Sequence, residues 1–305
     1  MNLPSIKQLQ YLLAVHKEQN FNRAAEYCHI SQSTLSVAIN NLEELVGQQL
    51  IERDNRKLMF TSMGELVVEQ ARMIVDQTNN MMKLIAADGD VMAGDVRLGC
   101  IPTIAPFLLP KLAKESRRQY PKLRLRLIEG TTAQLMSQLE KGEIDVAILA
   151  LPIDTGNFHV MQVGHDRFKL VAHKSLQEKL NNLTDFEEVP DGSLMLMEKE
   201  HCLRGHALEA CRLSKTDKIH PFEATSLTTL VTMLEDGEGI SFLPDMAIES
   251  GLLRNTHLVA IDMPFENAER QIGFIWRKTS FRAQCYRKLG LLAESLLTST
   301  LSKTK

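Results

Sequence analysis

The sequence lacks the features that mark secreted, membrane-spanning or disulfide-stabilised proteins. It has only five cysteines and one tryptophan among 305 residues. No apolar run approaches the ~18 residues that would cross a bilayer, and the N-terminus contains no apolar segment typical of a signal peptide. We therefore expect a cytoplasmic protein with no membrane partner. In such a protein, an important cysteine pair would be catalytic, metal-binding or redox-sensing rather than structural.

The sequence also lacks an excess of charge of one sign and the common motifs of enzymes. Its net charge is −3, with 24% charged and 44% hydrophobic residues, which is the composition of an ordinary globular protein. Glycine-rich nucleotide-binding loops, G-x-S-x-G, H-E-x-x-H and C-x-x-C are all missing. No cysteines and histidines cluster at the spacing of zinc ligands. We therefore predict a chain that is not an enzyme and needs no cofactor or metal.

Three helices at the N-terminus are predicted from apolar spacing and cap residues. Residues 5–17 carry leucines at helical spacing, and residues 21–28 form a second, short helix. Ser31 is typical of an N-cap and Gly47 of a helix end, so a third helix lies between them. A short helix, a tight turn and a longer helix are the proportions of a helix-turn-helix. The turn Asp54-Asn55 between two short extended segments predicts a basic wing.

Polar and basic side chains on these elements are the candidate DNA contacts. Asparagine and glutamine can pair with adenine, and hydroxyl groups contact bases or phosphates. The residues predicted to contact DNA are Gln32, Ser33, Thr34, Ser36, Asn40, Arg53, Arg56 and Lys57. Residues 1–60 hold six basic and six acidic residues, so a single copy would bind DNA weakly. Linked copies could bind well; the alternative is a small helical bundle that does not bind DNA.

A long helix and a polar linker follow the wing. From Met63 to Ile85, apolar or small residues recur every three or four positions, which is typical of a coiled-coil seam. The helix would be about 39 Å long at about 1.5 Å per residue. The short N-terminal segment cannot cover so long a seam alone. We therefore predict that residues 61–89 form a dimerisation helix; the alternative is that the seam packs against its own chain.

From residue 90 the pattern changes to short strands that alternate with helices. Strands are predicted at 95–100, 123–129 and 145–151, with helices at 106–119 and 132–142 between them. Further strands are expected near 167–172, 194–197, 219–223, 239–243 and 271–277, and further helices near 226–236 and 279–298. This alternation is typical of an α/β domain built from βαβ units. The predicted fold class is therefore an α-helical N-terminal part followed by an α/β domain.

Residues spread over the N-terminal segment resemble the signature of LysR-type transcriptional regulators. They are Ala24-Ala25, Ser31-Gln32, Ser36, Ile39, Leu42-Glu43, Gly47, Leu50, Arg53, Arg56, Thr61 and Gly64. The resemblance implies a winged helix-turn-helix DNA-binding domain over 1–60, a dimerisation helix over 61–89 and a regulatory domain over 90–305. The implied partners are double-stranded promoter DNA, RNA polymerase and further copies of the chain in a homodimer or homotetramer.

The same resemblance implies the architecture of the regulatory domain. It would be similar to a periplasmic binding protein, with two α/β subdomains and two crossovers between them. Subdomain I would comprise about 90–164 plus 268–305, and subdomain II about 165–267.

A second group of residues resembles the hydrogen-peroxide-sensing members of this family. It comprises His201-Cys202-Leu203-Arg204, Cys211, Ala224-Thr225-Ser226-Leu227, Gly239-Ile240 and Leu243-Pro244, together with Ile101-Pro102-Thr103 and Arg270-Gln271-Ile272-Gly273. The resemblance implies that Cys202 is the peroxidatic thiol and Cys211 the resolving thiol, that a cellular thiol reductant restores them, and that the chain controls antioxidant genes. It also implies that peroxide is bound by Thr103, Thr132, His201 and Arg270. Thr131 is adjacent to Thr132, and either could face the site.

The residues around Cys202 fit this chemistry. His201 and Arg204 are neighbouring cationic or titratable groups, and a helical segment begins just after Cys202; both features favour a thiolate. If the segment up to Cys211 stays helical, the two Cα atoms lie roughly 13 Å apart, whereas a disulfide needs about 4.4–6.8 Å. A Cys202–Cys211 disulfide would therefore require this segment to unwind or move, and would stabilise one conformation.

Other functions remain open at this point. A LysR-type regulator could instead respond to a small metabolite bound between its subdomains by Thr103, Thr132 and Ser226. A thiol peroxidase or a solute-binding protein would not need residues 1–60. The remaining cysteines are expected to pack in a core or, for the last of them, at its margin; they are Cys28, Cys100 and Cys285.

Overall fold

The computed structural model describes residues 3–54, 57–86, 90–181, 189–200, 203–205, 208, 216–237, 239–262 and 268–301. The chain divides into two compact units, Met1–Asp90 and Val91–Lys305, which we call the N-terminal and C-terminal units. None of the helices formed by the described residues is long and apolar enough to cross a membrane.

The described residues of the N-terminal unit form a helical bundle with one β-hairpin. In chain order the elements are α1 (Ile6–Glu18), α2 (Phe21–Tyr27), α3 (Gln32–Val46), β1 (Ile51–Asp54), β2 (Lys57–Phe60) and α4 (Ser62–Ala86). Ser5, Asn20 and Ser31 each accept a hydrogen bond from a backbone amide at the start of a helix. Gly47 ends α3 in the left-handed conformation. The predicted helix-turn-helix and hairpin are therefore confirmed.

The core of the N-terminal unit comes from α1, α2, α3 and one face of α4. Leu12 of α1 and Leu35 of α3 are completely buried. Val68, Ala71 and Val75 of α4 belong to the same cluster, and α4 packs against α1. Because residues three or four positions apart share a helix face, these three side chains form one continuous stripe toward the core.

A second apolar face of α4 is exposed in the single chain. Its side chains are Met63, Leu66, Met73, Ile74, Met81 and Ile85. Met82 is also exposed, but it lies two turns after Val75 on the first face. The predicted single seam is therefore wrong in one respect, because it combines Ala71, which is 1% exposed, with Ile74, which is 44% exposed. Both faces contribute residues at three- and four-residue spacing, so the sequence pattern alone merges them into one seam.

The C-terminal unit is built from one mixed β-sheet covered by helices. Its strands are β3 (Gly94–Cys100), β4 (Leu123–Glu129), β5 (Val146–Leu151), β6 (Phe158–His173), β7 (Leu194–Met197), β8 (Ile219–Ala224), β9 (Ile240–Pro244), β10 (Leu258–Asp262) and β11 (Glu269–Arg277). Its α-helices are α5 (Ala105–Gln119), α6 (Thr132–Glu140), α7 (Gln177–Asn181), α8 (Leu227–Leu234), α9 (Asp245–Glu249) and α10 (Ala283–Leu301). The predicted fold class is therefore confirmed.

The sheet topology divides the C-terminal unit into two lobes. The strand order is β4-β3-β5-β11-β6-β9-β7-β8, and β10 pairs with β6. β3 is parallel to β4 and β5, whereas β11 runs antiparallel between β5 and β6. The first half of β6 pairs with β11, and its second half pairs with β9 and β10. β6 therefore passes from a first lobe, containing β3 to β5, to a second lobe, containing β7 to β10.

The structure contains elements that the sequence pattern did not predict. The strand expected near 167–172 is the second half of β6, which already begins at Phe158, and β10, α7 and α9 are additional. The first half of β6 mixes polar side chains such as His159 and Gln162 with apolar ones, so its strand pattern is weak. α9 has five residues, too few for a helical period. The predicted subdomain boundary near residue 165 falls inside β6 and stays a prediction.

Replacing Gly64 by alanine is expected to destabilise the N-terminal unit. A Cβ atom at this position would lie 2.1 Å from the carbonyl oxygen of Leu50, so the backbone would have to shift. We expect Gly64→Ala to lower the free energy of unfolding by about 1–3 kcal/mol. The matched control is Gln70→Ala at an exposed position of the same helix. Urea unfolding of the full chain measures both variants, and equal stabilities would contradict the close contact.

Candidate functional site

Predicted DNA contacts lie on α3, the second helix of the helix-turn-helix. The exposed ones are Gln32, Ser33, Thr34 and Asn40, and Ser36 is half-buried. Nε2 of Gln32 donates a hydrogen bond to Oγ of Ser36 at 3.0 Å. The hydroxyl of Thr34 lies 2.7 Å from that of the cap residue Ser31. The start of α3 therefore presents uncharged donors and acceptors that are hydrogen-bonded to one another.

The hairpin after α3 holds the predicted basic contacts. β1 and β2 pair antiparallel from Ile51 opposite Phe60 to Asp54 opposite Lys57. Arg53 and Lys57 therefore occupy positions on the two strands close to the turn. Arg56 lies outside the described residues.

Two residues of the predicted peroxide site, Thr103 and Arg270, are in direct contact. Thr103 follows the carboxyl end of β3, and Arg270 is the second residue of β11. Nη1 of Arg270 donates to Oγ1 of Thr103 at 2.7 Å, and Nη2 donates to its carbonyl oxygen at 3.0 Å. Both residues are buried, each 1% exposed. The fold thus brings together two side chains that lie far apart in the sequence.

A third buried residue, Asp166, completes this cluster and was missed at the sequence level. It lies directly opposite Arg270 in the antiparallel pairing of β6 and β11. Its Oδ2 accepts from Nε of Arg270 at 3.1 Å and from Nη2 at 2.9 Å. Its Oδ1 accepts from the backbone amide of Met246, at the start of α9, at 3.0 Å. Only the cross-strand register reveals this partner, and the sequence does not contain that register.

The charge of Arg270 is therefore compensated inside the protein. Burial raises the pKa of the Asp166 carboxyl, while the Arg270 charge and the Met246 amide oppose that shift. Arginine has five N–H donors, and its bonds to Asp166 and Thr103 use four of them. Arg270 is thus an anchored member of a polar cluster rather than an isolated cation.

The structure distinguishes the two adjacent threonines at the start of α6. Thr131 is the N-cap, and its hydroxyl accepts from the amide of Gln134 at 3.4 Å. The hydroxyl oxygen of Thr132 is buried and has no hydrogen-bond partner among the described residues. Thr132 follows β4, which is the parallel neighbour of β3, so Thr103 and Thr132 lie at the same edge of the sheet. Thr132 therefore retains a hydroxyl that a bound molecule could use.

The redox residues themselves fall outside the described part of the chain. His201, Cys202 and Cys211 all belong to this group. Of their neighbours, Arg204 forms an ion pair with Glu223 and donates to the carbonyl oxygen of Met197 at 3.4 Å. The positive charge of Arg204 is therefore partly compensated, which weakens the expectation that it stabilises a thiolate.

Ser226, the third residue of the alternative metabolite site, caps a helix in the second lobe. Its hydroxyl accepts from the amide of Thr229 at 3.1 Å, at the start of α8 and just after β8. Thr103, Thr132 and Ser226 therefore all follow the carboxyl ends of strands, where α/β folds bind their ligands. This placement is compatible with either a peroxide or a metabolite.

The remaining cysteines pack as the sequence predicts. Cys100 and Cys285 are completely buried in the core of the first lobe, and Cys28 packs at the margin of the N-terminal core. Burial raises the pKa of the Cys100 thiol far above its ordinary value, although the nearby Arg270 charge opposes the shift. Cys100 is therefore a neutral, core-forming thiol.

Two family profiles match the chain. The profile described as "Bacterial regulatory helix-turn-helix protein, lysR family" matches residues 6–65. The profile described as "LysR substrate binding domain" matches residues 89–293. The chain belongs to the LysR family of transcriptional regulators. The predictions that it binds DNA and is a regulator rather than an enzyme are thereby confirmed.

Relatives within this family carry different names. HTH-type transcriptional regulator EstR of Acinetobacter baylyi is 37% identical over 280 residues, which cover 91% of this chain and 92% of EstR. The hydrogen peroxide-inducible genes activator of Dickeya chrysanthemi is 36% identical over 251 residues, which cover 82% of each chain. The reduced regulatory domain of OxyR2 from Vibrio vulnificus is 45% identical, covers 68% of this chain and 97% of its own, and has a TM-score of 0.66. The predicted resemblance to OxyR-type regulators is therefore confirmed.

Cys100 is expected to stay unreactive in the folded chain. Thiolates are the nucleophiles that react with alkylating agents, and burial keeps this thiol both protonated and inaccessible. At pH 8 we expect iodoacetamide to label Cys100 only after unfolding, and to label the half-buried Cys28 sooner. Peptide-resolved mass spectrometry measures both rates in one sample. Labelling of Cys100 as fast as that of Cys28 in the native protein would contradict this interpretation.

Proposed function

We propose that this chain is a peroxide-responsive transcriptional regulator that controls antioxidant genes from the cytoplasm. In this proposal α3 and the wing bind promoter DNA, α4 joins copies into a homodimer or homotetramer, and the DNA-bound protein acts on RNA polymerase. The observation that carries the proposal is the buried contact of Arg270 with Thr103 at 2.7 Å. Two residues assigned to peroxide binding by resemblance meet at the edge of the sheet where α/β proteins bind ligands.

The first chemical step is the oxidation of Cys202. The thiolate sulfur attacks one oxygen of hydrogen peroxide, an S–O bond forms and the O–O bond breaks. The departing oxygen takes up a proton and leaves as water, while the sulfur loses two electrons and becomes a sulfenic acid. Hydroxyl donors such as those of Thr103 and Thr132 would stabilise negative charge on the departing oxygen.

The second step forms the proposed disulfide. The thiolate of Cys211 attacks the sulfur of the sulfenic acid, an S–S bond forms and the S–O bond breaks, releasing hydroxide that is protonated to water. A cellular dithiol then reduces the disulfide by thiol–disulfide exchange and is itself oxidised. Because the disulfide is available to only one conformation of the segment, it would shift the regulatory domain toward that conformation.

The N-terminal unit supports the oligomeric part of the proposal. Its predicted DNA contacts on α3 are uncharged, so one copy offers few charges that could neutralise phosphates. The exposed apolar face of α4 supplies a surface through which a second copy could be joined. Two linked units would contact two half-sites and gain affinity without additional contacts in each unit.

A regulator that responds to a small metabolite is the second candidate function. It is favoured by the three hydroxyl residues that follow the carboxyl ends of strands, Thr103, Thr132 and Ser226, and it does not conflict with the similarity to EstR, whose name does not mention peroxide. In that case Cys202 and Cys211 would be incidental. A ligand between the lobes would then control DNA binding, and substituting the cysteines would not change the response.

Mapping thiols by mass spectrometry before and after a low-micromolar peroxide pulse tests the proposed function. We expect a Cys202–Cys211 disulfide that a dithiol reductant reverses, with Cys28, Cys100 and Cys285 remaining free. Cys211→Ser should stop the reaction at sulfenic acid on Cys202, and Cys28→Ser is the matched control that should leave the disulfide unchanged. If Cys202 and Cys211 both stay free thiols while the protein remains folded, the result contradicts the proposed function and favours the metabolite-responsive one.

A further inference from the structure

Asp166 lies at the centre of a buried series of hydrogen bonds that links the two lobes of the C-terminal unit. Its Oδ1 accepts from the amide of Met246 at the start of α9, in the second lobe. Its Oδ2 accepts from Nε and Nη2 of Arg270 on β11. Arg270 in turn donates to the hydroxyl and the carbonyl oxygen of Thr103, in the first lobe. The carboxylate of Asp166 therefore determines which N–H groups of Arg270 remain available to Thr103.

This arrangement restricts the hydroxyl of Thr103. A threonine hydroxyl has one hydrogen to donate and two lone pairs that accept. Nη1 of Arg270 can only donate, so its 2.7 Å bond occupies a lone pair of Oγ1 and directs the hydroxyl hydrogen away from the guanidinium. None of the described residues accepts a hydrogen bond from that hydroxyl. Thr103 is thereby left as a donor toward a bound molecule.

We propose that Asp166 is the positioning residue of the peroxide site, acting through Arg270 to hold Thr103 as a hydrogen-bond donor. The inference rests on the proposed function, because it assigns the donor to the departing oxygen of hydrogen peroxide. That oxygen gains negative charge as the O–O bond breaks, so a donor held in place before the reaction lowers the barrier. Asp166 is therefore a positioning residue and not a catalytic one.

An asparagine cannot take the place of Asp166, although its shape is nearly the same. The carboxylate accepts hydrogen bonds at both oxygens, two from Arg270 and one from the Met246 amide. The side-chain amide of asparagine has one oxygen and one NH₂ group. Whichever way it is turned, one donor would face another donor. Asp166→Asn would therefore break the hydrogen bonds either to the guanidinium of Arg270 or to the backbone amide at the start of α9.

The test compares two reactions of Cys202 in the full-length chain, in a Cys211→Ser background that isolates the first oxidation. One reaction is with hydrogen peroxide and the other with iodoacetamide; both need the thiolate, but only peroxide needs a donor for a departing oxygen. We expect Asp166→Asn to lower the ratio of the two rates by about tenfold or more. Thr103→Val should lower the ratio similarly, whereas Thr103→Ser, which retains a hydroxyl, should preserve most of it.

Two further variants separate positioning from general destabilisation. Asp145→Asn is the matched control, because Asp145 is a buried carboxylate paired with Arg97 at 2.7 Å, but it lies at the amino end of β5. It should destabilise the chain and leave the rate ratio unchanged. The double variant Asp166→Asn with Thr103→Val should lose no more than Thr103→Val alone, because Asp166 acts through Thr103.

The outcomes distinguish this inference from the proposed function. The parent chain is expected to have a high ratio of the peroxide rate to the iodoacetamide rate. If Asp166→Asn leaves that high ratio unchanged, the positioning role is overturned and peroxide sensing stays intact. Fully additive losses in the double variant would also overturn it. A parent ratio no higher than that of an ordinary thiol would overturn both. If Asp166→Asn does not fold, Asp166→Glu retains the charge but displaces the carboxylate, and an unchanged ratio in that variant would contradict the inference.

Discussion

The buried ion pair between Asp166 and Arg270 is the interaction on which the C-terminal unit depends. It joins β6, the strand that passes between the lobes, to its neighbour β11, and extends to the loop after β3 and the start of α9. Removing one partner of a buried pair typically costs about 3–5 kcal/mol, because the other charge stays buried and unpaired. The lobes therefore meet around a polar cluster whose geometry is specified by hydrogen bonds, and the candidate site uses that geometry.

The N-terminal unit offers little positive charge with which to bind DNA. Its helix-turn-helix is held by a small core shared by α1, α2, α3 and α4, and its predicted DNA-contacting helix presents neutral polar groups. Affinity for DNA depends mainly on neutralised phosphates, so such a unit gains most from being joined to others. One apolar face of α4 packs in the core of the unit, and the other is exposed in the single chain.

Most of the fold could be predicted from the sequence, and part of the site could not. Cap residues such as Ser31 and Gly47 act locally, so the bounds of α3 followed directly from the sequence. The first half of β6 and the partner of Arg270 depend on cross-strand register, which no local pattern contains. Family resemblance identifies Thr103 and Arg270 as site residues, whereas only the contacts in the structure identify Asp166. Cys202 and Cys211, outside the described residues, remain predictions.

The most direct test of the account is whether peroxide changes how the full-length chain contacts DNA through Cys202. DNase I footprints would be compared for the reduced and peroxide-treated protein on a duplex that the chain itself selects from random sequences. The account predicts that peroxide changes the length or spacing of the protected region, that a dithiol reverses the change, and that Cys202→Ser abolishes it. Identical footprints in both states, or a peroxide-dependent change that persists in Cys202→Ser, would contradict the account.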